Sequence, residues 1–180
     1  MSTYLSLDEA REMPIEQRQE LDRQVPGRIV RHQEQPKLEQ AYAEYDLPGH
    51  QRAAIIYYGE IGMTLPDDHP PVVPAQNFTG AMMFVPPGHH VPLHTHTTEE
   101  MFLVLEGAFE AQWGAEGEHS ERIGVWDTVS FPAGVIHGLL NVGEDRGALW
   151  VSLGGDHTNN APLFVEDVLE QVRAHENDNG

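Results

Sequence analysis

The hydrophobic pattern divides the chain into a polar N-terminal part and a β-rich remainder. Residues 6–24 predict one or two short helices, because Ser6 precedes an acidic first turn as an N-cap does, and Pro14 interrupts the run. Residues 25–50 are polar and mixed in character. The β-branched and aromatic run at 53–58 then predicts the first strand.

Short apolar segments recur at even spacing after this strand. They are separated by Gly, Pro, Asn and Asp, a pattern typical of a β-sandwich or β-barrel. The predicted strands are 81–85, 91–96, 101–105, 108–113, 128–131, 136–142 and 148–153. Residues 163–175 then predict an amphipathic C-terminal helix. Its apolar side consists of Phe164, Val165, Val168, Leu169 and Val172.

These elements predict one domain with additions at both ends. We expect a partly helical N-terminal extension over 1–50, an all-β barrel over 51–160, and a C-terminal helix and tail over 161–180. Four prolines within 65–76 indicate an extended loop rather than a linker between domains, because too little chain precedes them to fold alone.

Composition narrows the possible partners. The chain has 29 acidic and 10 basic residues and a net charge of -19, which would repel nucleic acid and anionic membrane surfaces. It has no cysteine, which excludes disulfides, thiolate ligands and a cysteine nucleophile. Neither a secretory signal nor a run of ~20 apolar residues is present, so we expect a cytoplasmic protein.

Two segments carry side chains that bind metals. In the first, His94 and His96 point to the same face of a predicted strand, so that two imidazoles can converge on one ion. Glu100 has the same parity and can add a carboxylate from the start of the next strand. Phe102 and Val104 would then face inward and form an apolar pocket wall beside the metal.

The second segment can supply a further imidazole. Pro132 and Gly134 predict a tight turn into a strand, and His137 comes early on that strand. Three imidazoles and one carboxylate suit Fe(II), Mn(II), Ni(II), Zn(II) or Cu(II). On an octahedral ion, these donors leave positions open for water, O2 or a substrate.

Both segments resemble the paired motifs of the cupin superfamily. The first family pattern, G-x5-H-x-H-x3-E-x6-G, is matched by Gly88, His94, His96, Glu100 and Gly107. The second, G-x5-P-x-G-x2-H-x3-N, is matched by Pro132, Gly134, His137 and Asn141. Trp126 stands where the second pattern begins with a glycine that permits a turn, so the local backbone there is in question.

The resemblance implies a cupin β-barrel, also described as a double-stranded β-helix or jelly roll. It implies one divalent transition metal, with Fe(II) expected first and Mn, Ni, Cu or Zn as alternatives. The implied ligands are His94, His96, Glu100 and His137. It also implies a homodimer, since cupins commonly pair their barrels through edge strands.

The complete ligand set resembles that of the quercetinase-like cupin dioxygenases. We therefore expect an enzyme that cleaves a small aromatic, enol or hydroxyketone substrate with O2, in which Glu100 either stays a ligand or acts as a general base. The alternatives are a non-redox isomerase, decarboxylase or lyase that uses the metal as a Lewis acid, and a non-catalytic small-molecule-binding cupin. Only Arg122 and Arg146 lie near the motifs among cationic residues, which favours a ketone over a sugar phosphate.

Overall fold

The computed structural model of this chain describes residues 6–39, 43–59, 65, 67, 69–75, 77–155 and 161–179. They fall into two compact units, Met1–Glu34 and Gln35–Gly180. None of the helices described is both long enough and apolar enough to cross a membrane.

The first unit consists of short helices. They are α1 (Leu7–Glu12), α2 (Ile15–Gln24) and two 3-10 helices, Pro26–Arg28 and His32–Glu34. A capping box begins α1: the Ser6 hydroxyl accepts from the backbone N–H of Glu9 at 3.1 Å, and the Glu9 carboxylate accepts from the N–H of Ser6 at 2.7 Å. Pro14 stands between the two helices as the N-cap of α2. The predicted short helices are confirmed.

The described part of the second unit contains two five-stranded antiparallel sheets. The strands are β1 (Ala53–Tyr58), β2 (Gly80–Val85), β3 (His90–Thr95), β4 (Glu100–Glu106), β5 (Ala108–Trp113), β6 (His119–Gly124), β7 (Thr128–Phe131), β8 (His137–Asn141), β9 (Gly147–Leu153) and β10 (Leu163–Phe164). Their orders are β1-β2-β9-β4-β7 and β10-β3-β8-β5-β6. Pairing between strands distant in sequence, such as β3 with β8, gives the predicted jelly-roll barrel.

The barrel core follows from the alternation of side chains along the strands. On β4, Glu100, Phe102 and Val104 are buried, whereas the residues between them are only half-buried. Inward residues of both sheets form one apolar cluster, in which each fully buried large side chain stabilises the fold by ~1.5–3 kcal/mol. One buried carboxylate therefore lies at the end of an otherwise apolar inward row.

Strand β6 was not predicted from the sequence. Its first four residues are exposed and polar, and it lies at the edge of its sheet with β5 as its partner. An edge strand of this kind lacks the apolar alternation on which the prediction relied. Backbone pairing, rather than burial, defines it.

The C-terminal helix begins later than the sequence predicted. Leu163 and Phe164 form β10 and pair with Thr95 and His94 of β3, so the predicted helix start at residue 163 is wrong. Helix α3 runs over Glu166–Asn179, past the predicted end at residue 175. Hydrogen bonding to the edge of β3 outweighs the helical periodicity of the apolar residues here.

Trp126 keeps the conformation that a glycine would favour. Its φ is 71°, in the left-handed region, and its side chain is 73% exposed. Its N–H donates to the carbonyl of Val104 at 2.9 Å, and the Asp127 carboxylate accepts from the N–H of Gly124 at 2.8 Å. These hydrogen bonds hold the turn, so the departure from the family pattern does not change the local backbone.

We expect Trp126→Gly to stabilise the protein by about 1 kcal/mol. A Cβ in the left-handed region costs ~1–2 kcal/mol, which the backbone entropy of glycine partly offsets. Trp126→Ala is the control, because it removes the exposed indole but keeps the Cβ. Urea denaturation would compare the variants, and equal stability of the glycine and alanine variants would contradict a strained Trp126.

Candidate metal centre

Strand register brings the predicted ligands together. His94 on β3 lies opposite His137 on β8, and their ring centroids are 4.6 Å apart. His96 follows the end of β3 and lies on the same side as His94, at 4.9 Å between ring centroids. Glu100 begins β4 in the facing sheet. All four side chains are buried, at 1–4% exposed.

The three imidazoles converge on one carboxylate oxygen. Oε2 of Glu100 lies 3.1 Å from Nε2 of His94, 3.6 Å from Nε2 of His96 and 2.6 Å from Nε2 of His137. The ligand atoms of His94, His96 and Glu100 all lie within 4.8 Å of one another. His137 joins this group through its contact with the shared oxygen.

Backbone carbonyls fix the tautomers of two imidazoles. Nδ1 of His94 lies 2.8 Å from the carbonyl oxygen of Pro92, and Nδ1 of His137 lies 2.9 Å from that of Val135. A carbonyl only accepts, so each Nδ1 carries a proton, and the Nε2 of each ring faces Glu100. Lone pairs facing an anionic oxygen repel it unless a proton or a cation lies among them. The donor set therefore fits a divalent metal ion.

Glu100 is ionised in this environment. Burial raises its pKa, but hydrogen bonds from His137 and His94, together with the charges of His94 and His96, outweigh burial and lower the pKa to about 2. A ligand carboxylate must be deprotonated to bind a metal, and Glu100 meets that condition at neutral and mildly acidic pH.

Residues of the second segment other than His137 support the site without serving as donors. The N–H of Gly134, which has a φ of 83°, donates to the carbonyl of His96 at 3.0 Å. The Phe131 ring stacks on His137 at 4.1 Å between centroids. Asn141 instead donates to the carbonyls of Val85 and Asp145 at 2.8 and 3.0 Å, so this motif position ties a loop to the barrel.

A small cavity adjoins the donor set. Its volume is about 40 Å³, room for about three water molecules at ~10–15 Å³ each. The apolar part of its wall includes Ile56, Met83, Leu153 and Phe164. Phe102 and Val104, predicted to line the pocket, lie fully buried in the core cluster and are not among the residues that line this cavity.

Sequence reasoning missed an ion pair in the cavity wall. Glu44 lies in the 3-10 helix Ala43–Asp46 and Arg52 precedes β1; Nη2 of Arg52 is 2.6 Å from Oε1 of Glu44, and both side chains are 3% exposed. Nη1 of Arg52 also donates to the carbonyl of His50 at 2.9 Å, and the guanidinium carbon lies 4.0 Å from the centroid of the Tyr45 ring.

Among cationic residues, the sequence placed only Arg122 and Arg146 near the motifs, but the cavity is lined by Arg52. A signal for it was present in the sequence. Arg52 has the same strand parity as Ala54 and Ile56, which also line the cavity. Glu44 carried no comparable signal, because it lies in a polar segment with no strand periodicity.

Fold and site together define a jelly-roll barrel with a buried His-His-Glu cluster that fits a divalent metal. Residues 81–154 match the family model described as Cupin domain. The match covers 74 of the 180 residues, and the similar structures share the fold that the motifs predicted. No curated protein matches the sequence.

Solved structures share the fold at low sequence identity. The polyketide cyclase RemF from Streptomyces resistomycificus is 19% identical with a TM-score of 0.56, over 79% of this chain and 89% of that one. The DMSP lyase DddQ from Ruegeria pomeroyi DSS-3 is 22% identical with a TM-score of 0.52, over 76% and 59%. An RmlC-like cupin from Shewanella frigidimarina NCIMB 400 is 12% identical with a TM-score of 0.50, over 72% and 92%. An oxalate oxidase is matched over only 46% of its chain.

We expect Arg52→Met to destabilise the protein by about 3–5 kcal/mol, because it leaves the Glu44 carboxylate buried without its partner. Adding Glu44→Gln should recover most of this loss, since the double variant buries no unpaired charge. Arg173→Met is the matched control: Arg173 pairs with Glu166 at 2.7 Å on the surface and should cost at most ~1 kcal/mol. Similar losses for Arg52→Met and Arg173→Met in urea denaturation would contradict a buried pair.

His50 predicts a pH dependence of stability. Burial lowers its pKa to about 4, with contributions from the charges of Arg52, His90 and His89. The folded state thus favours neutral His50. As the pH falls from about 6.5 towards 4, His50 is protonated in the unfolded state but not in the folded state, so the free energy of unfolding decreases. His50→Gln should remove this part of the decline in chelator-treated protein, and His119→Gln, an exposed histidine, is the control. Urea midpoints at several pH values would measure it, and an unchanged slope for His50→Gln would contradict it.

Proposed function

We propose that this protein is a metal-dependent dioxygenase that acts on a small enol or hydroxyketone. The observation that carries the proposal is a buried set of three imidazoles and one carboxylate beside a small, mostly apolar cavity. Nitrogen and oxygen donors without a thiolate suit Fe(II), which we expect first. Homodimer formation and a cytoplasmic location stay predictions from the sequence.

The cavity volume favours the smallest of the predicted substrate classes. About 40 Å³ corresponds to about three waters, or ~90 Å³ of liquid volume, which suits a molecule of about four to six non-hydrogen atoms. We therefore prefer small enols and hydroxyketones to the aromatic substrates of the quercetinase-like group.

The residues around the cavity would have two roles, metal binding and exclusion of water. His94, His96, His137 and Glu100 would hold the metal, which when bound supplies a Lewis acid and a redox centre at the cavity. The apolar side chains of Ile56, Leu153 and Phe164 would keep water from the bound substrate.

A non-redox isomerase, decarboxylase or lyase is the second candidate. The observation that favours it is the Glu44–Arg52 pair in the cavity wall, because it places an acid–base group beside the donor set. Reactions of this class need proton transfer but no O2. Turnover under nitrogen therefore separates the two candidates.

Metal content tests the donor set. Purified without chelator and supplied with Fe(II), the protein should hold about one metal ion per chain. His96→Ala and His137→Ala should each lower occupancy by more than about tenfold, because each removes a donor, while far-UV circular dichroism stays that of the barrel. His119→Ala, on exposed β6, should keep full occupancy. Full occupancy in both site variants would refute the ligand assignment.

Oxygen consumption tests the reaction class. The Fe(II)-loaded protein should consume O2 in the presence of hydroxyacetone, and His137→Ala should not. Product formation at the same rate under nitrogen would reject the dioxygenase and support Lewis-acid chemistry.

A further inference from the structure

We infer that Glu44 takes a proton from the substrate in this cavity, and that Arg52 positions the Glu44 carboxylate for the transfer. The inference rests on the metal-dependent function proposed above, because it needs a substrate seated at the donor set.

Glu44 and the metal donors share one small space. Glu44 and Arg52 line the same cavity as His94, His96 and Glu100. The cavity has room for about three waters, so a ligand that fills it would lie near both the Glu44 side of the wall and the donor set. Among the described lining residues, Glu44 and Glu100 are the two carboxylates.

Of these two carboxylates, Glu100 is already engaged. Its Oε2 faces three ring nitrogens within 3.6 Å. The Glu44 carboxylate accepts from Nη2 of Arg52 at Oε1 and from its own backbone N–H. A carboxylate offers about four lone-pair sites on its two oxygens, so these two bonds leave capacity for a proton.

Arg52 is itself held in place. Its Nη1 donates to the carbonyl of His50 at 2.9 Å, and its guanidinium packs over the Tyr45 ring. A fixed guanidinium orients the carboxylate that it binds. Burial raises the pKa of Glu44, and the charge and hydrogen bond of Arg52 oppose that rise without cancelling it. A base with a raised pKa accepts a proton more readily than an ordinary surface carboxylate does.

The proton transfer has a defined balance. The O–H bond of an enol, or the C–H bond next to a ketone carbonyl, breaks, and its proton forms an O–H bond with the Glu44 carboxylate. The electron pair stays on the substrate as an enolate. Return of the proton to a carbon of the substrate or to solvent restores the Glu44 carboxylate.

Deuterium exchange tests this step apart from oxygen chemistry. The metal-loaded full chain would be incubated with hydroxyacetone in D2O under nitrogen, and proton NMR would follow exchange at the carbons next to the carbonyl. We expect Glu44→Gln to slow exchange by about 100-fold or more and Glu44→Asp to retain part of it. Glu106→Gln, an exposed glutamate on β4, is the matched control and should exchange at the wild-type rate.

Two further readouts separate proton transfer from a structural role. Metal content should be unchanged in both Glu44 variants, since Glu44 is not a donor. In metal-free protein, infrared difference spectra should show a carboxyl that titrates above the ordinary glutamate range and is missing from Glu44→Gln. If Glu44→Gln fails to fold, the double variant with Arg52→Met, which buries no unpaired charge, takes its place in the exchange assay.

The outcomes distinguish the inference from the proposed function. Wild-type exchange under nitrogen without O2 consumption in air would reject the dioxygenase and leave the role of Glu44 standing. Wild-type exchange rates in Glu44→Gln at equal metal content would overturn the role of Glu44 and leave the metal-dependent function standing. Absence of exchange in the metal-loaded wild-type protein would also overturn the inference.

Discussion

The convergence of three imidazoles on the Glu100 carboxylate is the interaction on which the site depends. A carboxylate buried this deeply costs several kcal/mol unless compensating charges and hydrogen bonds surround it. Strand register supplies that compensation, because the pairing of His94 with His137 places two rings beside Glu100. Gly138 lets the two strands approach, since a Cβ there would lie 2.7 Å from the carbonyl oxygen of Val91. The backbone of the barrel thus sets the electrostatics of the site.

A second buried carboxylate in the cavity wall, that of Glu44, is also compensated by a neighbouring group. Glu44 is buried against Arg52 rather than against imidazoles, so its charge is neutralised by a permanent cation. The two carboxylates consequently have opposite pKa shifts: the pKa of Glu100 is lowered and the pKa of Glu44 is raised. Two carboxylates with separated pKa values in one cavity can take different roles, one holding a metal and the other moving a proton.

The sequence predicted the elements whose signal is local. Alternation and turn residues placed β1 to β5 and β7 to β9 to within one or two residues, and motif spacing selected the four donors that register brings together. Local patterns failed where tertiary context decides. Strand β6 is polar because its first four residues are exposed at the edge of the sheet, and β10 exists because β3 offers an edge for pairing.

The Glu44–Arg52 pair lay beyond sequence prediction for a related reason. Its two members are eight residues apart and follow no shared periodicity. Glu44 also lies in a polar segment some fifty residues before the metal motif, and no sequence pattern links the two. Strand parity would have directed Arg52 inward with Ala54 and Ile56, but only the folded barrel shows which space those side chains face. The turn at the glycine position of the second motif, in contrast, was predictable from the sequence. The hydrogen bonds around Trp126 maintain this turn although the side chain differs from the family pattern.

Some residues of the cavity wall come from the two motifs and others come from outside them, and this difference bears on how such a barrel acquires a specific reaction. The motifs supply the donor set, whereas Glu44, Arg52, Pro162 and Phe164 come from segments outside them. Solved structures that share this fold at 12–22% identity include a polyketide cyclase and a DMSP lyase, so the barrel alone does not select a chemistry. What distinguishes one small-molecule site from another on a common donor set is the polar group that the remaining wall presents to the substrate. In this chain that group is Glu44 with its fixed partner Arg52. The segment between these two residues ends at the start of β1. Substitutions in this segment should alter the reaction without removing the metal.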